Sequence, residues 1–239
     1  MSSVLKQLDH SKIIGTVERL SSRIGDRFPH SGLFKVNEEL LLIAQKSSEL
    51  SKWIAKPAIG LRFLSIFLIV AFVVGLIWLL ISIPMAMTKT EFGIIETITG
   101  IEAVTNELIL IAAAIFFLTS LEKRLKRKKA LAAIHELRSI AHIIDMHQLT
   151  KDPERFTKSW IMTENSPQQK MSPFELERYL DYCSEMLSLV GKISALYIQS
   201  FSDEVLLVAV SEIESLTTNL SAKIWQKIVV LKLQIPHKD

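Results

Sequence analysis

The sequence predicts an all-α integral membrane protein, with a two-helix transmembrane hairpin and a cytoplasmic helical bundle. Three observations lead there. Two long apolar stretches, residues 61–83 and 94–118, lie close together in the middle of the chain. Only 8 Gly and 7 Pro punctuate 239 residues, so long helical periodicities run with few breaks. A dense basic run, Lys123, Arg124, Lys126, Arg127, Lys128 and Lys129, follows the second stretch directly. Mean hydropathy is +0.31, high for a soluble chain. The reading divides the chain into an N-terminal cytoplasmic hairpin (1–56), a transmembrane hairpin (57–120) and a cytoplasmic bundle (121–239).

The first 50 residues lack an apolar core behind a basic start, so no cleavable signal peptide is expected. Residues 3–24 repeat apolar side chains at helical spacing (Leu8, Val17, Leu20, Ile24). The stretch "GDRFPHSG", 25–32, reads as a turn. Residues 33–54 read as a second helix, with Leu40, Ile43, Ala44 and Trp53 on its stripe. The pair is expected to form a hairpin on the cytoplasmic bundle. An interfacial membrane helix is the alternative.

Residues 61–83 hold one charge, Arg62, at their start. At about 1.5 Å per residue they extend about 34 Å, enough for a hydrocarbon core of about 30 Å. Pro84 is expected to close this helix, and 84–93 form a short external link. The link holds Lys89 balanced by Glu91, whereas Lys52, Lys56, Arg62 and the run at 123–129 flank the spans on the other side. Basic excess stays inside. Both termini are therefore expected in the cytoplasm of a multi-pass protein of the plasma (inner) membrane. The basic run is assigned to orientation and lipid headgroups, since nothing aromatic is interleaved with it for stacking on nucleic-acid bases.

The second span is expected to run on as one helix to Leu149, because no Pro or Gly occurs from 101 to 152. Asp152 then reads as an N-cap and Pro153 as the first residue of a short helix, 154–162. Residues 163–171 are a loop. Ser172 and Glu175 spell a capping box with Pro173 between them, opening a helix with a stripe of Leu176, Tyr179, Leu180, Cys183, Leu187, Val190 and Leu196. Ser202 is expected to cap a last helix, whose stripe reads Val205, Val208, Ala209, Ile213, Leu216, Leu220, Ile224 and Ile228. Cys183 is the single cysteine, so no intrachain disulfide can form, and its apolar neighbours make it a small buried hydrophobe. His10 and His30 lack ligand partners nearby and are placed at the surface or in turns.

The second span carries the polar anomaly. On a helical wheel Glu96, Gly100, Ala103, Glu107 and Ala114 share an arc of about 60°, with Thr99 and Asn106 at its edge and Glu102 further round. With Leu118 at the inner boundary, Glu107 stands about 16 Å higher, near the midplane; Glu102 stands about 24 Å and Glu96 about 33 Å up. Glu96 is thus a water-facing end residue. An acid at the midplane costs about 3 kcal/mol and normally faces a bundle interior or water. The first span offers no cation at that depth. The expectation is a homo-oligomer whose acidic stripes face one axis, a design suited to cations. A dry, protonated carboxyl serving with Asn106 as interhelical glue is the rival.

A second constellation lies below the membrane. His135, Arg138, His142 and Asp145 fall within an arc of about 80° on one helix face. A polar ladder between helices and an anionic-ligand site centred on Arg138 both fit. His142 and Asp145 are one turn apart, but His135 is about 10 Å away, so no metal set is assigned. No phosphate loop, HExxH, CxxC or GxSxG appears, so no enzyme activity, cofactor or metal is expected. The functional expectation is a homo-oligomeric cation-conducting pore or channel-like assembly. The alternative is a non-conducting membrane-tethered sensor or scaffold whose bundle binds a ligand or partner. Expected partners are the bilayer, copies of the same chain and cations, with no nucleic acid.

Overall fold

A computed structural model describes residues 7–87, 94–157, 160–166 and 170–234; the side-chain surroundings of residues 61, 76, 79–87, 94–97 and 119 lie outside it. The structure is all-helical: α1 His10–Arg27, α2 Gly32–Ala55, α3 Ile59–Met87, α4 Ile94–Leu149, a 3-10 turn Pro153–Phe156, α5 Pro173–Ser200 and α6 Glu204–Gln234. Two compact units are present. One joins residues 1–55 to 127–239; the other spans 56–126.

The larger unit is built around α5. Its periodicity places Leu176, Leu180, Cys183, Leu187, Val190 and Ile193 fully inside, and it packs against α6, α2 and α1. The lower part of α4 adds Ile134, Leu137, Ile140, Ala141 and Ile144 to the same core. Gly191 admits close approach of α6, since a Cβ there would lie 3.3 Å from Thr217 Oγ1. The α1–α2 hairpin shares this core through Val17, Leu20, Ile24, Leu33, Leu40 and Ile43. Its contacts with α5 are also polar and aromatic. Arg23 donates to both Glu185 oxygens at 2.7 and 3.0 Å, and Phe28 meets Tyr179 edge-on at 5.4 Å.

The helix ends depart from expectation where local capping decides. α1 starts at His10 because the Asp9 carboxylate accepts the Ser11 and Lys12 N–H groups; residues 3–6 of the expected helix lie outside the described residues. It runs on through Gly25, where a Cβ would sit 3.0 Å from the Phe34 ring, so the turn falls at 28–31. The short helix expected over 154–162 is a single 3-10 turn. Asp152 caps it as expected, but Thr157 turns back onto the Glu154 carbonyl and ends it. The capping box of Ser172 and Glu175 is present with both of its bonds. α6 is capped by Asp203 rather than Ser202: Asp203 Oδ1 accepts the Leu206 N–H at 3.2 Å. At the other end of α4, Lys227 donates to the carbonyls of Gln148 and Lys151 at 2.7 and 3.1 Å, placing a cation on the negative end of the helix.

In α6 the buried side differs from the expected stripe. Leu206, Val210, Ile213, Thr217, Leu220, Ile224, Ile228 and Leu231 are inside, whereas Val205 and Val208 are 47% and 58% exposed. α6 has apolar residues on two sides, so periodicity alone does not choose between them.

The smaller unit contains α3 and the upper part of α4. α3 continues past Pro84 to Met87, since proline deletes one backbone donor but leaves later donors able to bond. Of the expected link, residues 88–93 lie outside the described residues. Large apolar side chains such as Phe63, Phe67, Val70, Val74 and Trp78 stand exposed around α3. Among the described residues, two of the helices can cross a membrane by length and composition: α4, with none of its apolar stretch buried, and α6, with 28% of its stretch buried. The α6 stretch belongs to a helix that contributes to a packed core, and such core helices pass the same test.

Candidate functional site

Four neighbouring groups tie the start of α3 to α4. Glu122 and Lys126, one turn apart on α4, pair at 2.7 Å. Glu122 Oε1 also accepts the Ala58 N–H at 3.0 Å, just before α3 begins, and Lys126 Nζ donates to the Lys56 carbonyl at 2.7 Å. The Lys126 hydrogen bond, then the Ala58 N–H, holds the Glu122 carboxyl below its ordinary range. Lys126 is 8% exposed, so it is engaged internally, whereas Leu125 beside it is 47% exposed. Among the other basic residues assigned to headgroups, Lys123, Arg124, Lys128 and Lys129 are exposed. Lys129 stacks its ammonium 4.1 Å above the Trp53 ring. Arg127 donates to Asp203 Oδ2 at 2.9 and 2.6 Å. Burial alone would raise Asp203, but the Arg127 and Leu206 donors outweigh it and hold this carboxyl below its ordinary range.

Nearer the start of α4, Glu102, Asn106 and Glu107 are exposed, in a stretch that also exposes Ile98, Ile101, Leu108, Ile109 and Leu110. Thr99 is exposed on the same helix. Glu96 lies within α4, but its side chain is outside the described residues. Thr105 turns its hydroxyl onto the Ile101 carbonyl at 2.8 Å, within its own helix. The helix thus presents two acids and an amide among apolar side chains, a composition that needs water or polar partners from elsewhere.

The second constellation stays on one face of α4. His135 and His142 are exposed, and Arg138 forms an ion pair with Glu212 of α6. Asp145 accepts from Gln148 Nε2 at 2.6 Å. Arg138 and His142 border an open groove of about 810 Å³, whose other wall is α6 from Leu207 to Asn219. Glu212 was not anticipated as Arg138's partner; it is one of three exposed acids on α6, and no local spacing connects it to α4.

Cys183 is fully buried, and burial pushes its thiol up to about 12, against the opposing influence of Lys151 and Lys227. The His10 ring is partly buried against the Ser51 hydroxyl at 3.4 Å, and burial, then Lys52, lowers its pKa. Among the described residues no group of three or more His, Cys, Asp or Glu is placed to hold a metal ion. No family model, curated protein or solved structure matches the chain.

Proposed function

We propose that the protein is a homo-oligomeric two-span membrane protein in which α3 and the upper part of α4 cross the bilayer and α4 lines a cation pathway. The observation carrying this reading is that Glu102, Asn106 and Glu107 are exposed on a mostly apolar stretch of α4 that has no buried residue. Lipid solvates the apolar side chains, while the acids face an axis shared with other copies. Glu107 stands near the midplane and Glu102 lies outward of it, with Thr99 and Glu96 towards the mouth. The basic excess at 123–129 holds both termini inside, in the plasma (inner) membrane. The larger unit is then a cytoplasmic domain for assembly or gating, without enzymatic chemistry.

The test is cation flux through purified full-length protein in liposomes, compared with Glu107→Gln. Flux altered by the substitution supports the pathway; silence from a well-folded oligomer overturns it. In that event the reading becomes a non-conducting tethered sensor or scaffold. The open groove beside Arg138 and His142 favours that second reading. A ligand response lost in Arg138→Ala, read by thermal shift, would support it.

A further inference from the structure

Of the histidines in the described residues, His30, His135 and His142 are exposed, whereas His10 and His147 are half-buried. Both half-buried rings press on the same helix. His147, in the last turn of α4, covers the start of α2 so closely that a Cβ at Gly32 would overlap its ring. His10, the first residue of α1, meets the Ser51 hydroxyl at 3.4 Å, one turn before the end of α2.

α2 also docks through a comparatively polar face. Four of its ten buried residues are Asn or Ser: Asn37, Ser47, Ser48 and Ser51. α5 buries one such residue, Ser194, among thirteen, and α6 buries Thr217 among eight. Asn37 is fully buried, yet its Oδ1 has no hydrogen-bond partner among the described residues. Its Nδ2 reaches the Val17 carbonyl only at 3.5 Å. An unpartnered buried amide opposes docking, so α2 adheres less firmly than an apolar stripe of its length would.

We propose that α2 is an acid-sensitive element, clasped at both ends by neutral histidines and loosened from the core when they become charged. The groups around each ring set the sign. Burial, then Lys151, holds His147 below its ordinary 6.5. The start of α2 offers no relief: its first turn holds no acid, and a helix N-terminus carries partial positive charge. Burial, then Lys52, lowers His10 as well, and Asp9 offsets this in part. Ser51 can donate to a neutral His10 and accept from a charged one, so that hydrogen bond survives protonation; burial and Lys52 supply the penalty. Each ring therefore takes up a proton more readily in an opened chain than in the folded unit. The penalty is absent well above pH 6.5 and grows as pH falls through 6.5 towards the lowered folded value.

The device belongs to the larger unit alone and does not depend on the membrane reading. Under that reading α2 leads, through residues 56–58, into the first span, and a fall in cytoplasmic pH is the signal it takes.

The test is hydrogen exchange of the full-length protein in one detergent at about pH 7.5 and about pH 5.5, with protection corrected for the intrinsic pH dependence of exchange. The amides of α2 are compared with those of α6 in wild type, His147→Gln, His10→Gln and the double variant. In wild type, acid should lower protection in α2 by about threefold or more relative to α6. His147→Gln should remove the loss at the start of α2, His10→Gln the loss near its end, and the double variant should show neither. Lys151→Gln leaves both histidines in place and should lessen the loss at the start of α2. Circular dichroism at each pH checks that every variant is folded. Equal loss in α2 and α6, no loss in α2, or a loss in the double variant as large as in wild type overturns the proposal. If the double variant does not fold, Lys151→Gln decides: an unchanged acid loss at the start of α2 overturns it.

Discussion

The Glu122–Lys126 pair makes a quantitative demand on the root of α3. Lys126→Met removes two charge-assisted bonds, to Glu122 and to the Lys56 carbonyl, each 2.7 Å long. It also leaves Glu122, with an 18% exposed side chain, without its cation. Charged hydrogen bonds contribute about 1.5–3 kcal/mol each, and partial solvent access places this pair towards the lower end, so the loss should be about 3 kcal/mol. Glu122→Gln should cost about 1 kcal/mol, because its carbonyl can still accept the Ala58 N–H and the Lys126 ammonium. The double variant leaves no buried charge unpaired and should cost about 2.5 kcal/mol, well short of the sum of the single losses, a coupling of about 1.5 kcal/mol. The assay is thermal or denaturant unfolding of the four proteins in one detergent, with hydrogen exchange read at the start of α3. Additive losses would refute the reasoning, as would exchange at the Ala58 amide unchanged in Lys126→Met. The pH dependence has a definite sign. The Glu122 carboxyl is held below its ordinary 4.5, so its contribution is complete above that pH and is lost as pH falls through its lowered folded value.

Two further outcomes are expected. Asp203→Ala should remove the α6 cap, costing about 1 kcal/mol and lowering Tm by about 2–4 °C, while Asp203→Asn keeps the cap and loses only the ion pair with Arg127; equal Tm losses would place the whole effect in the ion pair. Cys183, with its thiol pushed up to about 12, should resist maleimide at neutral pH until the protein unfolds, and its share of stability should fall as pH rises above its ordinary 9.0; labelling of the native protein at the rate of a free thiol would contradict this.

Helix content was legible in the sequence because long apolar periodicities met few glycines and prolines. The continuity of α4 to Leu149 and the capping box at Ser172 followed from residues that act within one turn of themselves. What sequence reading missed was set by contacts distant along the chain. Gly25 reads as a turn, but the Phe34 ring covers it in α1. Lys126 reads as one more headgroup cation, yet it faces inward because a carbonyl 70 residues away needs a donor. The same limit applies to the His135–Asp145 face: its spacing was visible, but its pairing with Glu212 was not.

α6 shows why periodicity and hydropathy need burial beside them. Its apolar content passes the same length-and-composition test as α4, yet the two helices distribute it differently. In α4 the apolar stretch has no buried side and contains two exposed acids, Glu102 and Glu107, on different sides of the helix. In α6 one side is already buried, and the opposite side is exposed, with Val208 and Trp225 among its large apolar groups. Reading 205, 208, 213, 216 and 220 as one stripe mixes these two faces. The cap at Asp203 and its anchor on Arg127 resolve the choice by placing Leu206 and Val210 inward, which turns Val208, Ser211 and Ser215 out. The rotation that completes the core thus also fixes which residues of α6 face solvent. Substituting the inner row should therefore unfold the unit, whereas charging the outer row at Ser211 or Ser215 should leave it folded, read by circular dichroism and thermal unfolding.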